Sequence, residues 1–246
     1  IISSLQSVQV TRRSDQPQHV ELRRVADLLV SEDKNFRPVA IHFGPDGCLY
    51  VVDWYNPIIS HNEVPRNHPS RDKTSSRIWR IRHHSQAKQA PVDVAKATSA
   101  DLVDLLGHAN TGTARAAWHQ ISDRQATQLV PKLLELVENA QAATEHRLLA
   151  LWSLHDLKSM PLQTLRKCIA APEYSLRRAA IDLAGEQITD STALVELLAN
   201  TASDPDPRVR LVAIQTLGKS RGFNSALARL LLSFLRPENL AIYQAK

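Results

Sequence analysis

One arginine-led frame recurs down the second half of the chain. Arg147-Leu-Leu-Ala-Leu-Trp-Ser-Leu154, Arg177-Arg-Ala-Ala-Ile-Asp-Leu-Ala184 and Arg210-Leu-Val-Ala-Ile-Gln-Thr-Leu217 share it, and a weaker copy begins at Arg115. The intervals are 32, 30 and 33 residues. In each copy small and apolar residues follow the arginine at helical spacing, so every unit reads as helix, turn, helix. Such a unit cannot bury its apolar stripe alone and must stack on its neighbours, which predicts an α-solenoid. Ala171-Pro-Glu173 and Asp204-Pro-Asp-Pro207 supply turns that end one helix and start the next. Further helical stripes lie at Ala100–Leu106, Leu129–Val137 and Leu194–Leu198. The repeated arginine is expected to pack its stem on the next repeat or to bond a turn carbonyl. Trp118 and Trp152 fall on the helical stripes and read as core.

The frame is that of about four short HEAT-like repeats, placed within residues 91–246. The first ninety residues follow a different period. Val39–Phe43 and Cys48–Val52 are apolar runs joined by Gly44-Pro-Asp-Gly47, which predicts a β-hairpin. Both runs are apolar on both faces, so the pair is expected to lie covered on each side. Arg77–Ile81 alternates as a third strand would, and Ser7–Thr11 reads as another. Glu21–Val30 reads equally as strand or helical turn.

Composition removes several classes. Seven glycines are too few for a chain of hairpins from end to end. No apolar run approaches the length of a membrane span. Cys48 and Cys168 stand too far apart for a C-x-x-C pair, so zinc-knuckle and haem-attachment motifs are absent from these residues. Phosphate-loop, Gly-x-Ser-x-Gly and His-Glu-x-x-His motifs are absent as well. The net charge of +5 raises a nucleic-acid reading. The excess lies in residues 1–90, with 13 basic and 9 acidic side chains, against 17 and 16 in residues 91–246. A DNA-binding solenoid would need a basic face, so no nucleic-acid partner is expected. The chain begins at Ile1 without a signal segment, and both ends read as cut, which predicts an internal piece of a longer protein.

Asn35-Phe-Arg-Pro38, Gly44-Pro-Asp-Gly47, Leu49-Tyr-Val-Val-Asp-Trp-Tyr-Asn-Pro57, His61, Pro69-Ser-Arg-Asp72 and Arg77-Ile-Trp-Arg80 follow one order. That order resembles the end of the β-propeller in planctomycete-type "membrane-bound dehydrogenase domain" haem-binding proteins. These are similar to soluble glucose/sorbosone dehydrogenases and continue into HEAT repeats and a c-type cytochrome segment. The chain departs from the family at Ser60 and Ser76, where glycine is usual. The resemblance implies a mixed fold. Residues 1–90 would be the end of a propeller, one to two blades with the last near 36–82, and 91–246 a HEAT-like solenoid. It further implies an exported or periplasmic, dehydrogenase-like electron-transfer parent acting on a sugar or alcohol. Haem c would sit on a segment outside this chain, and the cofactor of the propeller is undefined.

The loop from Asp53 to Ser76 is the densest polar segment and the candidate site. His61 is the candidate general base. Asp53, Asn56, Arg66, Arg71, Asp72 and Arg77 are the candidate ligand-binding set, the arginines serving as forks for carboxylate or phosphate. The competing reading is structural, with Asp53, Arg71, Asp72 and Arg77 bonding each other and the loop backbone. Trp54, Tyr55 and Trp79 offer either a stacking surface or inter-blade packing. His61, Glu63, His68 and Asp72 match no metal-ligand spacing, so no metal is expected. Two functions follow. In one, the propeller binds a sugar or alcohol and the solenoid is a docking or spacer arm. In the other, the chain is a non-enzymatic adaptor with a protein partner on the concave face of the repeats. Too few strands are present for a closed propeller, so the isolated piece is expected to be catalytically inert.

Overall fold

The computed structural model describes residues 4–12, 20–58, 63–85, 90–188, 190–219, 222 and 224–235. The chain divides into two compact units, one holding the strands and the other the helices from Asp93 onward.

In the strand unit, β1 (Ser4–Leu5) pairs with β4 (Leu29–Val30), and β2 (Val8–Arg12) pairs with β3 (Val20–Arg24), both antiparallel. Between these two pairs Gln6 and Ser7 lie on one side and the four residues Val25–Leu28 on the other. Ser7 and Leu5 carbonyls accept from the Val25 and Leu28 amides at 3.1 and 2.8 Å, so the irregular stretch keeps its backbone bonded. The segment 21–30 is therefore two strands around a break rather than a helical turn.

β5 (Pro38–Phe43), β6 (Leu49–Asp53) and β7 (Arg77–Ile81) form an antiparallel meander in that order. Gly47, at φ 74°, takes the left-handed turn position that the Asp-Gly pair predicts. Asp46 fastens the turn by accepting from the Cys48 amide, the Tyr50 hydroxyl and the Arg80 guanidinium. The apolar core here is small, with Phe36, Cys48 and Val51 buried. Among the described residues the expected cover on both faces is missing from β5, where Val39, Ile41 and Phe43 are at least 50% exposed, while β6 is largely covered. Among the described residues β5 and β7 are edge strands with one neighbour each, and the central β6 is enclosed between them. Among the described residues the strands make three small antiparallel sheets and no closed propeller.

The helical unit runs α1 (Ser99–Leu105), α2 (Thr111–Asp123), α3 (Val130–Glu138), α4 (Thr144–Asp156), α5 (Leu162–Ile169), α6 (Tyr174–Gln187), α7 (Ser191–Leu198), α8 (Pro207–Gly218) and α9 (Ser225–Ser233). Asn110, Asp190, Asp206 and Asn224 cap α2, α7, α8 and α9 with their side chains, and Thr98 with Asp101 makes a capping box on α1. Consecutive helices pair as repeats, and α2, α4, α6 and α8 stack on one another. Leu102, Ile121, Leu133, Leu151, Leu154, Leu165, Ile181 and Leu183, each fully buried, belong to one core running through all repeats. Each contributes roughly 1.5–3 kcal/mol by burial.

The recurring arginine bonds turn carbonyls as expected and reaches the next repeat through a carboxylate, which was not expected. Arg177 donates to the Ala171 and Pro172 carbonyls of its own turn and to both oxygens of Asp204 in the next repeat, at 2.7 and 2.9 Å. Arg147 donates to the Val137 carbonyl and to Glu173 in the next repeat, at 2.9 Å. Each of these arginines stands four residues after its helix cap. Arg115 breaks the frame: it is five after Asn110, so Ala114 takes the inward position and Arg115 is exposed.

Candidate functional site

Asp53 closes β6 and sits opposite Pro38 and Arg77 in the sheet register. Its carboxylate is fully buried and accepts four bonds. Oδ1 takes the Arg37 and Tyr55 amides at 2.8 and 3.0 Å; Oδ2 takes Arg77 Nε and the Trp79 indole at 2.8 and 3.0 Å. Burial alone would raise this carboxyl, but the Arg37 amide, the Trp79 indole, the Tyr55 amide and the Arg77 guanidinium outweigh it and hold it below the usual range. The bond to Tyr55 also holds that residue at φ 53°, in the left-handed region. Arg77 reaches on to Asp33 at 2.9 Å and lies 4.1 Å from the Tyr55 ring centre and 5.0 Å from that of Trp79.

The other loop residues serve their neighbours. Asn56 is buried, donates to the Asp72 carbonyl and accepts from Ile58. Asp72 accepts from the Thr74 and Ser75 amides, which hold its carboxyl at about 2. Arg71 donates to the Val64 and Pro65 carbonyls. Arg66 is exposed. His61 lies outside the described residues. The structure thus brings Asp53 and Arg77 together, ties Asn56 to Asp72, and gives Arg71 to the loop backbone. Trp54 and Trp79 are each 43% exposed, and among the described residues no three metal-ligating side chains cluster. The two cysteines are separate buried thiols, and burial pushes Cys168 up to about 11.

The helical unit holds a feature that the residue pattern did not announce. A hollow of about 560 Å³ opens between the first and second repeats, lined by Ala114, Arg115, Trp118, Ala143, Leu148 and Trp152 among others. Ala114 stands where the later repeats carry arginine, and Ala143 where the third repeat carries Glu173. Two small side chains replace the ion pair that fills the next junction, and space is left. Gly107 adds to it, because a Cβ there would meet the His146 imidazole at 2.7 Å. His146 in turn donates to the Val103 carbonyl at 3.0 Å. Trp118 and Trp152 are only partly buried: their rings lie 6.3 Å apart in the wall, and the Trp118 indole donates to Asp156 at 2.8 Å. The signal for this was the slip of Arg115 by one residue from its cap, together with alanine at position 143.

Comparison with known families divides the chain the same way. Residues 162–242 match the model of HEAT repeats. The helical half carries HEAT repeats. Residues 3–85 match the model of a domain of unknown function, DUF7133, and no curated protein matches the chain. The HEAT match begins at α5, so the hollow lies in the two repeats before it, where the arginine frame is broken. HEAT repeats are generally protein-interaction modules, and among the described residues no helix is long and apolar enough to cross a membrane.

Proposed function

We propose that the HEAT repeats dock a segment of another protein and that the hollow between the first two repeats receives its anchoring side chain. The observation that carries this is the hollow itself. Its lining includes two tryptophans and Leu148 together with the exposed Arg115 and Glu145, and its size suits one large apolar or aromatic side chain. Interface energy concentrates where such an anchor fills a desolvated pocket inside a polar rim. Peptides displayed on phage and selected on this chain should share a Phe, Leu or Trp anchor. Ala143→Leu, at an exposed position on the wall, should weaken them about tenfold or more, the worth of one well-placed anchor. Peptides that bind the variant as well as the parent would end this reading.

The strand unit supports a second reading, in which its polar loop holds a small ligand. Besides the Asp53 and Asp33 bonds, Arg77 keeps one buried donor, Nη2, without a partner among the described residues. By resemblance the ligand is a sugar or alcohol, bound by Asp53, Asn56, Arg66, Arg71, Asp72 and Arg77 with His61 as base. The parent would then be an exported or periplasmic dehydrogenase-like protein that passes electrons to haem c outside this chain. A reduced-minus-oxidised visible spectrum of the parent, with sugars and alcohols as reductants, tests it. A c-type signal that one of them reduces supports the reading, and a parent without haem, or with haem none of them reduces, removes it.

A further inference from the structure

Because α4, α6 and α8 stack, the residues that start them come side by side, and they line a groove of about 660 Å³. Glu145 and Leu148 line both this groove and the hollow, so the two recesses adjoin at α4. The apolar part of the groove is Pro172, Pro205 and the Tyr174 ring, whose centre lies 3.6 Å from the Arg208 guanidinium. The arginines beside it are already matched: Arg147 with Glu173, Arg177 with Asp204 and Arg208 with Asp206. The carboxylates are not. Glu145 is exposed and makes no ion pair among the described residues. Glu173 gives Oε1 to Arg147, and its Oε2 is buried with no donor among the described residues.

The groove thus keeps one unmatched negative charge and a spare carboxylate oxygen beside an aromatic ring, which is the complement of a cation. Building on the docking reading above, we infer that the docked segment continues past α4 in extended form and sets a lysine or arginine side chain in this groove, against Glu145 and Glu173. Stacked helices lie about 8–10 Å apart, which is about three residues of extended chain. The basic residue therefore stands about three positions from the apolar anchor. An acidic side chain there would face Glu145 with no free cation beside it, so the groove selects by charge as the hollow selects by size.

Peptides selected on this chain should carry lysine or arginine about three positions from the anchor. One such peptide is then compared with its copy bearing glutamine at that position. Ser175→Lys lies in the lining of the groove and outside that of the hollow. It should weaken the basic peptide about tenfold more than the glutamine copy. Glu145→Gln, at an exposed position, should bring the two affinities about threefold closer. Ala143→Leu, in the lining of the hollow and outside that of the groove, should weaken both peptides alike. If Ala143→Leu does so while Ser175→Lys and Glu145→Gln treat the two peptides equally, docking stands and the basic subsite is overturned. If Ala143→Leu weakens neither, docking at the hollow falls and the groove assignment falls with it.

Discussion

The two units solve the same problem by opposite means. The helical unit rests on a continuous apolar core, and its charged side chains only lock one repeat to the next. Among its described residues the strand unit has three buried apolar side chains around its sheet, and it gathers its loops on the buried Asp53 carboxylate. Its ribbon leaves Val8, Val10, Val20 and Leu22 on one face, each at least 46% exposed. A repeat array adds core with every unit, so its stability is distributed. A small sheet with a polar hub concentrates its stability in that hub. The lesson is where each half fails when one residue changes.

The largest effect is expected at the hub. Asp53→Ala leaves Arg77, the Trp79 indole and two amides without their acceptor, and breaking a buried pair in this way costs about 3–5 kcal/mol. The strand unit should lose exchange protection throughout β5–β7 while the helices keep theirs. If the helices melt in step, the two units are not independently supported. Next comes the ladder. Arg177→Gln removes the bidentate bond to Asp204 and should lower the helical unit's stability by about 2–3 kcal/mol, read from its urea midpoint.

Acid should separate the halves further. Asp46, Asp53 and Asp72 in the strand unit are all held below their ordinary value, Asp46 and Asp72 at about 2. A depressed carboxyl stabilises the fold above its unfolded pKa, near 4, and stops doing so as the pH falls through its folded value. Between about pH 4 and pH 2 the strand unit should therefore unfold first, followed by tryptophan fluorescence; helices lost before strands would reverse the comparison. The smallest effect belongs to Lys167 and Glu138, bonded at 2.7 Å on the surface of the helical unit. Lys167→Ala should cost no more than about 0.2–1 kcal/mol and less still in high salt.

What the residues disclosed in advance follows from how local each signal is. The hairpin around Gly47 and the arginine-led helices α4, α6 and α8 were legible because turn chemistry and helical period are written within a dozen residues. The break between β3 and β4 was not, since bulge bonds to Ser7 and Leu5 depend on a partner strand far away in sequence. Cover on both faces of β5 was misjudged because apolar runs report that a face could be buried, not that a neighbour is present. Among the site residues, the pairing of Asp53 with Arg77 was among the alternatives, but nothing local showed that Trp79 and two amides would join them. The hollow escaped because it is made by small residues. Ala114 and Ala143 carry no chemistry of their own, and their meaning appears only when the repeats are aligned by their caps.

The four tryptophans divide evenly, Trp54 and Trp79 in the strand unit, Trp118 and Trp152 in the wall of the hollow. Fluorine NMR of the 5-fluorotryptophan-labelled chain, titrated with a selected peptide, therefore reads both units at once. The Trp118 and Trp152 resonances should move together and saturate, while Trp54 and Trp79 stay where they are. Movement confined to Trp54 and Trp79, or none in Trp118 and Trp152 at saturating peptide, would contradict docking at the hollow.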